Sequence, residues 1–138
     1  CLVGSEMCIR DRKNTRLPNF DRAISALLDD LQERGMLDST LVAVITEFGR
    51  TPKINATAGR DHWSTAGIAC FAGAGVEGGQ VIGKTDETGA RPVGDEIYPE
   101  NIAATVYSKL GIPLDTHHTA PDGRPIRLCI GEPIPELA

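Results

Sequence analysis

The sequence is poor in aromatic residues, with three Phe, two Tyr and one Trp making 4% of its 138 residues. It lacks any apolar run near the roughly 20 residues needed to span a bilayer. It also lacks a surplus of base: 14 Lys and Arg against 19 Asp and Glu leave a formal charge of -5. These shortages remove the electrostatic and stacking footprint of a nucleic-acid binder and predict no membrane span. Cysteine is scarce. Of four, Cys1 and Cys8 fall in an N-terminal segment that stands apart, and Cys70 and Cys129 lie in apolar stretches without CxxC or Cys/His spacing. That pattern predicts two buried free thiols, not a bridge or a zinc site. Also missing are GxGxxG, a P-loop, GxSxG and HExxH. The glycines at 73, 75, 78, 79 and 83 therefore read as turns between short strands.

Residues Cys1 to Arg12 read as the in-frame translation of a sequencing adapter. The codons CTC GTG GGC TCG GAG ATG TGT ATA AGA GAC encode Leu2 through Asp11 without a mismatch. Such a segment is set aside before fold reasoning. The expectation is a natural sequence that starts near Lys13, in the middle of a gene, so that 13–138 is the C-terminal portion of one domain. No internal repeat or domain boundary interrupts it.

What the chain does contain is Leu41 to Arg50, a β-branched apolar run that ends in Glu47, Gly49 and Arg50. A run of this kind reads as a strand buried on both faces, as in a parallel sheet. In open α/β sheets ligands gather beyond the carboxyl ends of strands. Before it, Pro18 to Arg34 carries Phe20, Ile24, Leu27, Leu28 and Leu31 on one face of a 3.6-residue period, and Gly35 and Met36 supply a Schellman-type ending. Helix, turn and strand make the second half of a crossover unit. After it, Thr51 to Thr65 is a long unpatterned loop, a kind that is usually functional or disordered. Gly67 to Ala72 predicts a second buried strand, Gln80 to Ile82 a short one, Thr85 to Ile97 a polar loop, and Tyr98 to Leu110 a second helix with Pro99 at its first position. Ile126 to Ile130 predicts an edge strand.

Glu47 suits a cation ligand or a general base, and equally a strand-end carboxylate paired with Arg50. Arg50 suits a phosphate or sulfate held bidentately. Asp61 and His62, adjacent in a glycine-led loop, offer the carboxylate and imidazole that zinc, manganese or iron accept; the plainer reading is a capping acid and a surface histidine. Trp63 suits the wall of a site or simple loop packing. His117 and His118 are adjacent in an extended segment, point to opposite faces and read as solvent-facing. Asp86 reads as a turn residue.

Thr46-Glu47-Phe48-Gly49-Arg50-Thr51-Pro52 and Gly59-Arg60-Asp61-His62-Trp63, with Gly83-Lys84-Thr85-Asp86, Gly123-Arg124-Pro125 and Pro133 to Leu137, resemble a bacterial family catalogued as domain of unknown function 1501. That family resembles the alkaline phosphatase and sulfatase superfamily. The resemblance implies the C-terminal part of a three-layer α/β/α sandwich with mostly parallel central strands. It implies that Glu47, Phe48 and Gly49 occupy the place of a metal-binding Asp-His-Gly motif, where Phe48 cannot ligate, and that His62 is the later histidine. Glu47, Asp61 and His62 would then hold a divalent metal (zinc, manganese, calcium or iron), and Arg50 would steady a small anionic ester. The nucleophile would lie in a missing N-terminal half, so the fragment alone would not catalyse. Twin-arginine export signals on full-length relatives imply a periplasmic or extracellular protein. The rival expectation is an exported binding or structural protein of the same fold that has lost the chemistry.

Overall fold

Helix α1, Leu17–Glu33, follows from its apolar period and from a proline in its first turn, where no amide partner is lost. It ends as its glycine predicts. Gly35 adopts φ +66°, its amide donates to the Gln32 carbonyl, and the Met36 amide reaches back to Leu31 at 2.8 Å, the paired bonds of a Schellman ending. The computed structural model describes residues 12–137, so all of the adapter reading except Arg12 lies outside the described residues. Arg12–Arg16 forms a single π-helical turn ahead of α1.

After a 3-10 turn at Leu37–Ser39, strand β1 runs over Val42–Ile45. Strands β2 (Gly49–Arg50), β3 (His62–Trp63) and β4 (Ala69–Ala72) follow. Then come β5 (Lys84–Thr85), β6 (Pro92–Val93), helix α2 (Pro99–Lys109), β7 (His117–Thr119) and β8 (Pro125–Arg127). The chain is thus a mixed α/β structure. Its strands form the pairs β1-β4, β2-β3, β5-β6 and β7-β8, and every pair is antiparallel. The expected parallel central strands are not what these residues show, for a topological reason. Parallel neighbours need a crossover, usually a helix. Between Ile45 and Ala69 the chain carries only the short β2-β3 ladder, which turns it back to meet β1 with Val42 opposite Ala72 and Ile45 opposite Ala69.

β1 is also shorter and more open than its composition predicts. Val42 and Val44 are half-buried, while Ala43 and Ile45 are exposed, Ile45 by 52%. The apolar stripe of α1 is covered only toward its C-terminal end: Leu31 is buried, whereas Leu17 and Phe20 are 58% and 49% exposed. Cys129 is buried, but Cys70 is exposed, contrary to the expectation for its apolar stretch. The Gln80 to Ile82 stretch is not a strand; the hairpin lies one step later, at β5-β6.

The best-packed core lies under α2. Ala104 and Thr105 are almost fully buried, and Ala120, Cys129, Ile134 and Leu137 are buried as well, with Cys129 and Ile134 bonded to residues of the helix. Thr105 Oγ1 donates to the Asn101 carbonyl at 2.8 Å and accepts the Ile134 amide at 2.9 Å. Asn101 caps the helix by accepting the Tyr98 amide and donates its own amide to the Glu132 carbonyl. Gly131 lies so close to the Glu100 carbonyl that a Cβ there would sit 2.1 Å from the oxygen. Gly111, at φ +69°, closes α2 as Gly35 closes α1.

Two outcomes follow from these contacts. Thr105→Val keeps the shape and removes the acceptor of a buried amide, so it costs about 1–3 kcal/mol in urea unfolding. Asp86 turns the β5-β6 hairpin, accepting the amides of Thr88 and Ala90 and the Thr88 hydroxyl. The Ala90 amide first, and then the Thr88 hydroxyl, hold its carboxyl below the ordinary carboxylate range. A depressed folded value stabilises fully above the unfolded value of about 3.9 and is lost as pH falls through the folded one. The amide resonances of Thr88 and Ala90 therefore move together only below about pH 4, and stay flat over that range in Asp86→Asn.

Candidate functional site

The end of β1 is pinned before it reaches the acid. The Thr46 hydroxyl donates to the Ile68 carbonyl at 2.9 Å and accepts the Ile68 amide. The chain bends at 47–48 and enters β2. There Gly49 runs against the backbone of Ala66, where a Cβ would stand 1.6 Å from the carbonyl oxygen. Only glycine permits this approach. It brings the two motifs together as one ladder, with Gly49 opposite Trp63 and Arg50 opposite His62.

This register sorts the side chains. Residues directly opposite share a face and neighbours along a strand alternate. Arg50 and His62 therefore share one face, and Phe48 joins them. Its ring stacks on the imidazole with centroids 3.8 Å apart and planes 28° apart, and the Arg50 guanidinium carbon lies 5.5 Å from the Phe48 centroid. Arg50 also donates to the Arg60 carbonyl at 3.0 Å. The Arg12 guanidinium is pushed below its ordinary range, by burial first and then by the charges of Arg50 and Arg16.

The opposite face holds Thr51, Asp61 and Trp63. The ladder continues through the Thr51 amide to the Asp61 carbonyl at 3.0 Å, and the Asp61 amide donates to the Thr51 hydroxyl at 3.1 Å. The Asp61 carboxylate accepts Asn55 Nδ2 at 2.8 Å. Asn55 Oδ1 accepts the Thr57 amide and hydroxyl and the Gly59 amide, and Ala58 takes φ +59° to close that turn. Arg60 donates to the carbonyls of Thr51 and Pro52. Trp63 Nε1 donates to the Ala90 carbonyl at 2.7 Å, tying the ladder to the Asp86 hairpin.

The structure thus brings Arg50 and His62 together and turns Asp61 away from His62. Glu47 is exposed at the bend between β1 and β2. Among the described residues no three His, Cys, Asp or Glu side chains group to hold a metal ion. His117 and His118 lie in the exposed β7, opposite Arg127 and Ile126. Thr51 and Arg60 belong to the two motifs but carry no role in the sequence reading, and Asn55 falls there in the unpatterned loop. The signal for Asn55 was its spacing to Gly59, the mark of a side chain that closes its own turn.

The chain matches the family described as Protein of unknown function (DUF1501) over residues 8–138, and it belongs to that family. The match begins inside the stretch read as adapter. No curated protein and no solved structure matches the chain.

Gly49→Ala places a methyl group on the Ala66 carbonyl. It should cost about 3 kcal/mol or more and abolish the ring-current shifts of His62 against Phe48. Gly78→Ala, in open space, should change stability by less than about 0.5 kcal/mol.

Proposed function

We propose that this member of the family is the C-terminal part of an alkaline phosphatase-like three-layer α/β/α sandwich, and that the intact protein hydrolyses small phosphoric or sulfuric esters. The observation behind this reading is the pairing of Arg50 and His62 just beyond an apolar strand. A guanidinium there neutralises ester oxygens and can hold them bidentately. The open faces support the larger fold. Partly bare α1 and β1 are surfaces that further layers of the same domain would cover. The nucleophile belongs to those layers.

Metal chemistry is harder to place on these residues. Asp61 and His62 lie on opposite faces of the ladder, and Asp61 is bonded to Asn55. They do not fit one shared ion, and no step is assigned to it. A divalent ion in the intact protein would take Glu47 and ligands from outside the described residues. The family resemblance supports export to the periplasm or beyond.

A second reading is a binding or structural protein of the same fold without chemistry. The Phe48 ring stacked on His62, in the place of a ligand histidine, favours it. The intact gene product, assayed with aryl phosphate and aryl sulfate, decides between them. The expected result is turnover of one ester, reduced about a hundredfold in kcat/KM by Arg50→Ala. An intact protein that turns over neither ester overturns the hydrolase and leaves the binding protein.

A further inference from the structure

We infer that Arg50 and His62 form a metal-independent clamp for a tetrahedral oxyanion, the phosphate or sulfate head of an ester, and that His62 is an anion donor rather than a metal ligand. The inference deepens the anionic-ester reading and rests on it.

Three observations carry it. The first is register. Arg50 and His62 are direct cross-strand partners, a placement that sets their Cβ atoms about 5 Å apart. The second is the support beneath them. Phe48 contacts both, stacked on the imidazole and under the guanidinium, and the Arg60 carbonyl fixes Arg50 from the side. Two planar donors are thereby held at one place. An imidazole N–H donates whether the ring is neutral or charged, and a guanidinium is always charged. The third is the sorting of charge. Asp61, the acid that would repel an anion, faces the other way and is held there by Asn55. An ion shared by Asp61 and His62 needs the two side chains to converge, whereas an anion beside His62 is favoured by having the acid turned away. The ladder sets them apart.

The test uses the EDTA-treated intact gene product, titrated with inorganic phosphate and with sulfate by calorimetry and by NMR of the His62 ring. The expected result is binding without added metal, with His62 and Arg50 signals moving together. Arg50→Ala and His62→Phe should each weaken it about tenfold, the loss of one charge-assisted hydrogen bond. His62→Phe keeps a ring on Phe48 and removes only the nitrogens, so a loss there is not a loss of packing. Arg124→Ala removes a charge from the exposed pair with Asp122 and should leave affinity unchanged. Three results overturn the inference: unchanged affinity in folded His62→Phe, equal losses in Arg124→Ala, or phosphate binding that requires added zinc. The last would leave the hydrolase reading standing, because it concerns only how the anion is held.

Discussion

The closeness of Gly49 to the Ala66 carbonyl is the constraint on which the site depends. A two-residue ladder has almost no hydrogen-bond energy of its own, and β2-β3 is held because the strand end before it and the segment after it are packed backbone to backbone. Thr46 closes this contact from one side with its paired bonds to Ile68. Once the two backbones touch, the register follows. Once the register is set, the faces of Arg50, His62 and Asp61 follow without further choice. A missing side chain therefore decides which charges meet.

The elements with strong local signals were legible in the sequence. α1 and α2 announced themselves by apolar period, by Pro18 and Pro99 near their first positions, and by Gly35 and Gly111 after their last. Asp86 was legible as a turn because an Asp carboxylate closes its own loop. Strand direction was not legible. Val42 to Ile45 has the composition of a strand in a parallel sheet, but its partner is chosen by the path of residues 46–68, which has no period. Burial failed for a related reason: composition reports the surroundings a strand is suited to, not those it has here, and Ile45 and Cys70 are exposed.

At the site, the chemistry-bearing residues were legible as two motifs and their orientation was not. The two motifs pair as one short ladder, which brings Arg50 to His62. Adjacency in sequence suggested that Asp61 and His62 act together, yet in an extended ladder adjacency means opposite faces. The same rule had already separated His117 from His118. It applies to residues 61 and 62 only once their strand is known. Asn55 acts through one side chain that serves four groups at once, a role that only the folded loop makes visible.

The packing of α2 carries a consequence for how the chain comes to be folded. The hydroxyl of Thr105 and the side chain of Asn101 are completed by the amide of Ile134 and the carbonyl of Glu132, roughly 30 residues later. The face of α2 that carries Ala104 and Thr105 therefore stays bare until the segment around Glu132 and Ile134 docks on it. Closure of this core is non-local: it joins residues about 30 positions apart and cannot precede the arrival of the C-terminal segment.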